Sequence, residues 1–151
     1  MSSNLRICSY NCTGFGPGKP EYVSKLVKDH DFVLLQEHWL RESQFHRIKN
    51  IPCGNDAFIL SHDVSAMDDH VLSNGRGYGG CSVLWKSTLQ CKVTPIIMKS
   101  NRICAVKIFT SSMSLLIFNV YMPCDVRSND ALYRDILSEI LNIPHYQKAL
   151  Q

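Results

Sequence analysis

Polar side chains stand where three apolar segments of the sequence end. Asn11 closes "LRICSYN", Glu37 closes "DFVLLQE" and Tyr121 closes "SLLIFNVY". A side chain at the end of a buried strand is held by a rigid scaffold and points to the rim of the sheet, where a substrate can reach it. An amide, a carboxylate and a phenol at one rim suit a hard cation and a phosphate group better than they suit a core. These residues are therefore the first candidates for chemistry.

Each of these candidates has a structural alternative. Glu37 is a candidate ligand of Mg²⁺, which takes one or two carboxylates together with waters and phosphate oxygens. An ion pair with lysine or arginine is the commoner arrangement for a carboxylate beside a buried run. Asn11 can donate to a phosphate or open the turn that follows it. Tyr121 can stabilise charge on a phosphate, or bury its ring and leave its hydroxyl at the surface.

Other polar residues give weaker signals. His38, His62 and His70 suggest metal ligands, but the sequence has neither the HExxH spacing nor a calcium-loop pattern, and a solvated loop explains "MDDH" better. Arg102 is a candidate contact for a nucleic-acid backbone. Asn119 stands just before the third strand end and is a candidate for orienting the phenol there or for contacting substrate.

Composition limits the class of protein. The 151 residues are 45% hydrophobic and 19% charged, which fits one globular domain. The net charge of +3 permits a polyanionic partner without demanding one. Seven cysteines without a CxxC pair indicate reduced thiols, and the N-terminus lacks an apolar stretch of signal-peptide length. We therefore expect an intracellular protein, nuclear or cytoplasmic and not secreted, without a membrane-spanning segment.

The apolar periodicity predicts the elements that position the candidate residues. Helices are predicted at Pro20–His30 and Asn129–Asn142. Strands are predicted at 5–11, 31–37, 56–62, 79–86, 91–98, 102–109 and 114–121. The later strands follow one another at hairpin spacing, which favours an α+β layered sandwich over a doubly wound parallel sheet. Pro95 indicates that its strand lies at an edge or carries a bulge.

Five stretches, taken in order, resemble the endonuclease/exonuclease/phosphatase family. They are "ICSYNCTGF", "DFVLLQEHWL", "GYGGCSVLWK", "RICAVKI" and "LLIFNVYMP", and the helix "DALYRDILSEIL" follows where that family places one. Within the family, the likeness is greatest to the apurinic-endonuclease-like endonuclease domain of LINE-type non-LTR retrotransposons. It extends over nearly the whole chain, to about Leu141.

The resemblance implies part of a four-layer α/β sandwich, in which two packed, mainly antiparallel sheets carry outer helices. It implies cleavage of phosphodiester bonds, with DNA as the partner and Mg²⁺ or Mn²⁺ as the cofactor. Glu37 is then the metal ligand, Asn11 lies at the rim that binds metal and phosphate, and Tyr121 contacts the phosphate in the transition state. Arg102 and Asn119 complete the set of candidate substrate-binding residues.

The sequence departs from the family pattern in two places. Thr13 stands where the family commonly has a second Asn or Asp, and the GDFN-like and SDH-like segments that complete the family's site are absent. His145 does not replace them, because no Asp precedes it. We therefore expect residues 1–151 to form one domain without its C-terminal portion. Water activation needs a positioned base, so we expect this chain to be inactive.

Three functional hypotheses stay open at this point. The chain is a metal-dependent nuclease domain, a catalytically incomplete fragment with at most a binding role, or a relative that acts on small phosphate esters. An extended reading frame that restores the two absent segments would favour the first. An incomplete sandwich would expose apolar sheet surface and unpaired strand edges, so self-association is also expected.

Overall fold

The computed structural model describes residues 4–51, 54–60, 79–111, 113–123 and 129–143. The strands are β1 (Ile7–Asn11), β2 (Phe32–Gln36), β3 (Asn55–Leu60), β4 (Cys81–Lys86), β5 (Lys92–Ile96), β6 (Ile103–Phe109) and β7 (Ser114–Val120). The helices are α1 (Lys19–Asp29), α2 (His46–Lys49) and α3 (Asp130–Leu141), with a 3₁₀ turn at Glu42–Gln44. Helices and strands occur in the predicted order.

The first sheet has the strand order β1-β2-β4-β3. β1 and β2 run parallel because α1 carries the chain back between them, and the other neighbours are antiparallel. Gly18, with a φ of 76°, lies at the N-terminus of α1, and Pro20 occupies the first turn, where its missing N–H is not needed. The register pairs Asn11 with Gln36, so both strands end at the same edge of the sheet.

The second sheet is antiparallel and has the order β5-β6-β7. Consecutive hairpins build it, as the strand spacing predicted. Pro95 lies in β5, which pairs with β6 on one side within the described chain. The prediction of an edge strand there is confirmed. A proline suits this position, because it has no N–H to donate to a second neighbouring strand.

Three apolar cores separate four layers. The first, between the first sheet and the helices α1 and α2, contains Val23, Val27, Leu35 and Ile48. The second, between the two sheets, contains Phe32, Val83, Val106 and Ile108. The third, between the second sheet and α3, contains Ile103, Ala105 and Ile136. The predicted α+β fold, with two packed and mainly antiparallel sheets between outer helices, is confirmed.

The outer face of α3 remains apolar and exposed. Ile136 is buried against the second sheet, whereas Leu132, Tyr133, Leu137 and Leu141 are each at least 38% exposed. Exposed apolar surface of this kind promotes association. Self-association of the chain stays a prediction.

The described cysteines are free thiols, at positions 8, 12, 81, 91 and 104. Burial raises the pKa of Cys12 and of Cys81 to about 12, so both are protonated at neutral pH and pack as small apolar groups. Of the helices in the described part of the chain, none has the length and apolar character needed to cross a membrane.

Candidate active site

The ends of β1 and β2 bring Asn11 and Glu37 into contact. The amide nitrogen of Asn11 donates a hydrogen bond of 2.7 Å to Oε1 of Glu37. The amide oxygen of Asn11 accepts a hydrogen bond of 3.0 Å from the backbone N–H of Thr13. The amide group of Asn11 therefore both opens the turn after β1 and holds the Glu37 carboxylate. This bond fixes the orientation of the Glu37 carboxylate at the rim.

The backbone at Glu37 is in the left-handed conformation, with a φ of 53°. For a residue with a side chain this costs on the order of 1 kcal/mol, which the surrounding structure must offset. Two hydrogen bonds from the loop after β1 do so. The N–H of Gly14 donates to the carbonyl oxygen of Glu37 at 2.7 Å, and that of Phe15 donates to the carbonyl oxygen of His38 at 2.9 Å. The two loops therefore hold each other in place.

His38 is part of the core behind this edge. Its Nδ1 accepts a hydrogen bond of 3.1 Å from the N–H of Leu40, and its Nε2 lies 3.1 Å from the carbonyl oxygen of Leu60. A neutral ring with hydrogen on Nε2 satisfies both contacts. Burial lowers the pKa of His38 to about 4, outweighing its backbone hydrogen bonds. His38 is therefore not placed to bind a metal or activate water; His62 and His70 lie outside the described residues.

Asn119 joins the two sheets. It lies on β7 with 1% of its surface exposed, and its amide nitrogen donates to the carbonyl oxygens of Leu35 at 2.7 Å and of Ser82 at 2.8 Å. Its amide oxygen accepts a hydrogen bond from Nε2 of Gln36. Asn119 is therefore placed to connect the sheets, and its contact with substrate stays a prediction. Its polar atoms are occupied by protein groups, and it positions the strand ends.

Arg102 and Tyr121 form a pair where β6 begins and β7 ends. The N–H of Tyr121 donates to the carbonyl oxygen of Arg102 at 2.9 Å, and Nη1 of Arg102 donates to the carbonyl oxygen of Tyr121 at 3.2 Å. The guanidinium carbon lies 5.1 Å from the centre of the Tyr121 ring, within the range of a cation–π contact. Both residues are half-buried. Arg102 therefore orients the phenol and places a positive charge beside it.

One hydrogen bond connects these two groups of predicted residues. Gln36, which precedes Glu37, donates to Asn119 near the end of β7. Gln36 also exchanges hydrogen bonds of 3.0 and 3.3 Å with the hydroxyl of Ser9. Neither Gln36 nor Ser9 was among the predicted site residues. The available signal was the alternation of β1, which puts Ser9 and Asn11 on one face.

The sequence pattern of the Endonuclease/Exonuclease/phosphatase family matches residues 8–144. The chain belongs to this family. The resemblance predicted from the strand-end residues is therefore confirmed. No curated protein is significantly similar to the chain in sequence.

Two solved structures show how much of the family fold the chain covers. The endonuclease domain of TRAS1, a telomere-specific non-LTR retrotransposon, is 14% identical with a TM-score of 0.57, over 93% of this chain and 55% of that one. An AP endonuclease from Archaeoglobus fulgidus is 16% identical with a TM-score of 0.53, over 95% of this chain and 51% of that one. The chain therefore spans about half the length of these structures, and at such identities the likeness shows the fold alone.

A divalent metal is the cofactor that the family implies. Glu37 offers a carboxylate at a strand end, and hard oxygen donors of this kind suit Mg²⁺ or Mn²⁺. Thr13, at the family's second acidic or amide position, donates its hydroxyl to the carbonyl oxygen of Cys12 at 2.7 Å. Within the described ranges, no group of three or more His, Cys, Asp or Glu side chains could hold a metal ion. The residues present fit an ion held by one carboxylate, with waters and phosphate oxygens as its other ligands.

Proposed function

We propose that this chain carries part of a metal-dependent phosphodiesterase site that acts on DNA, of the kind found in retrotransposon endonucleases. The observation that supports it is the hydrogen bond of 2.7 Å between Asn11 and Glu37 at the shared edge of two parallel strands. The alternative for Glu37 was an ion pair with lysine or arginine. Both ion pairs of the described residues involve Asp31 instead. Among the described residues, Glu37 therefore takes part in neither ion pair, which supports its proposed role as the metal ligand.

Each residue in the proposed site has a distinct role. Glu37 would hold Mg²⁺ or Mn²⁺, and a bound ion would offset the negative charge of the phosphate. Asn11 keeps the carboxylate in one orientation through its amide nitrogen. Tyr121 is a hydrogen-bond donor for a phosphate oxygen, and Arg102 supplies positive charge next to it. Asn119 would act indirectly, because its hydrogen bonds to backbone carbonyl oxygens of β2 and β4 hold the end of β7 at a fixed distance from them.

Cleavage also needs a group that activates water, and His38 is not placed to supply one. Its ring is buried, neutral and bonded to the backbone on both nitrogens. The described residues therefore support binding and orientation of a phosphodiester more than the complete reaction. We expect the chain, by itself, to bind divalent metal and DNA without efficient cleavage.

The proposal is tested by Mn²⁺ binding, measured by electron paramagnetic resonance, and by nicking of supercoiled plasmid. The variants are Glu37→Gln and Glu42→Gln, which removes the same charge from an exposed carboxylate in the 3₁₀ turn. We expect Mn²⁺ binding to be lost in Glu37→Gln and kept in Glu42→Gln. Equal Mn²⁺ binding by both variants would contradict the proposal. Metal-dependent nicking that is lost in Glu37→Gln would support the site and correct the expectation of inactivity.

A further inference from the structure

A cavity of about 420 Å³ opens next to the proposed metal ligand, between the loop after β1 and the segment that leads to α2. Loop residues 13–16, Trp39 and the two cations Lys19 and Arg47 contribute to its lining. We name it the loop cavity. It adjoins the Asn11–Glu37 pair, because its lining residue Thr13 donates its backbone N–H to the amide oxygen of Asn11.

Both cations of the loop cavity have neutral hydrogen-bond partners. Nζ of Lys19 donates to the hydroxyl of Tyr10 at 2.8 Å, and this bond raises the pKa of Lys19. Nη2 of Arg47 donates to the carbonyl oxygen of Phe15 at 2.6 Å. A phenol and a carbonyl are neutral acceptors, so neither compensates the positive charge. Among the described residues that line the cavity, none is Asp or Glu. The cavity therefore favours an anion.

The walls of the loop cavity are already in place. Gly14 has a φ of 95°, and a Cβ atom built on it would lie 2.5 Å from Cε3 of Trp39, so the indole ring packs directly on the loop backbone. The N–H of Trp39 donates to the carbonyl oxygen of Gly79 at 3.0 Å. The guanidinium carbon of Arg47 lies 5.8 Å from the centre of the Phe15 ring. A ligand would therefore meet groups that are held before it binds, which lowers the entropy lost on binding.

The loop cavity and the proposed metal ligand are joined through the start of the loop after β1. Asn11 bonds to Glu37, and Thr13, two residues further along, lines the cavity. An extended ligand with more than one anionic group could therefore contact both the cavity and a metal ion at Glu37.

We propose that Lys19 and Arg47 bind a second phosphate of a polynucleotide, next to the phosphate that Glu37 and its metal would receive. This inference rests on the proposed function of the same edge. The guanidinium of Arg47 has five N–H donors, which suit the oxygens of a phosphate. A small ester with a single phosphate has no second one to place in the cavity. The loop cavity therefore favours a nucleic-acid backbone over an ester of that kind.

A second cavity in the described part of the chain has a different charge. It has a volume of about 790 Å³, lies between the connection from β5 to β6 and helix α3, and shares no lining residue with the loop cavity. Asp135, Glu139 and one cation, Lys99, line it. Its lining carries more negative than positive charge, so it favours a phosphate less than the loop cavity does.

The test is the salt dependence of DNA binding in the presence of a chelator, so that metal and cleavage play no part. A fluorescent duplex oligonucleotide is titrated with the full chain at several salt concentrations between about 50 and 200 mM, the range over which such slopes are measured. The test variant is Lys19→Gln combined with Arg47→Gln. The matched control is Lys25→Gln combined with Lys28→Gln, which removes two exposed charges of α1 outside the cavity. Arg47→Lys, which keeps the charge, is the conservative variant.

The plot of log K against log salt has a negative slope. Loss of one phosphate contact should make this slope less steep by about 0.9 in the test variant, whereas the slope should stay nearly unchanged in the control and in Arg47→Lys. Near-ultraviolet circular dichroism checks the fold, and Lys19→Gln alone should show part of the change if the double variant misfolds. An unchanged slope in the folded test variant, an equal change in the control, or no DNA binding by the wild-type chain would each overturn the inference. A wild-type chain that binds no Mn²⁺, together with the expected change of slope in the test variant, would instead contradict only the proposed metal site.

Discussion

Burial of a neutral His38 makes the stability of the fold depend on pH within a defined range. Burial lowers the pKa of His38 in the folded chain to about 4, against an ordinary value of 6.5. Between these values the unfolded chain binds a proton that the folded chain does not, so stability falls as the pH falls. The free energy of unfolding should decrease by roughly 1 kcal/mol at pH 5.5 and by roughly 2–3 kcal/mol at pH 4.5, relative to pH 7.5.

Urea unfolding at pH 7.5 and 5.5, in chelator, measures this loss. The comparison is His38→Gln, because glutamine keeps a donor and an acceptor but does not titrate. The wild-type chain should lose roughly 1 kcal/mol more than the variant between the two pH values. The NMR signal of the His38 Cε1 proton should also keep its neutral position down to about pH 5. Equal losses in the two proteins, or titration of folded His38 near its ordinary pKa, would refute the reasoning.

Four substitutions test the packing of the fold by urea unfolding. Gly80 has a φ of 85°, and a Cβ atom there would overlap the buried ring of His38. Gly80→Ala should therefore destabilise the fold by about 2–4 kcal/mol. A loss below about 1 kcal/mol would contradict this packing. Asn119→Leu removes two buried hydrogen bonds and one partly buried hydrogen bond between the sheets and should cost about 2–4 kcal/mol; an unchanged stability would show that Asn119 does not hold the sheets together. Ile136→Ala should cost about 2–4 kcal/mol, whereas Tyr133→Ala, on the exposed face of α3, should change stability by less than about 1 kcal/mol.

The strand ends were readable from the sequence because apolar periodicity marks where a buried strand stops. Glu37 interrupts an apolar run, and Asn11 precedes a glycine-rich turn, so both were placed at an edge before the pairing of β1 with β2 was known. The structure places these side chains in contact, at 2.7 Å. Their roles in metal and phosphate binding stay predictions.

Tertiary placement could not be read in the same way. The alternation of β7 shows that Asn119 shares a face with Ile117, but not that this face meets the other sheet. Lys19 and Arg47 belong to different elements and share no local pattern, so only the packing of α2 beside the loop after β1 brings them to one cavity. The insertion of β4 between β2 and β3 is also a property of the whole fold.

The link between Gln36 and Asn119 has a consequence for how the chain folds. The two residues are 83 positions apart, so their hydrogen bond closes one of the longest loops in the described chain. Contacts of such high sequence separation form late, because the entropy of loop closure is lost before they contribute. Local hairpins such as β5–β6 can form early, whereas the rim that carries Glu37 takes its final geometry only when both sheets have docked. A partly folded chain would therefore have most of its strands and still lack the arrangement on which binding depends.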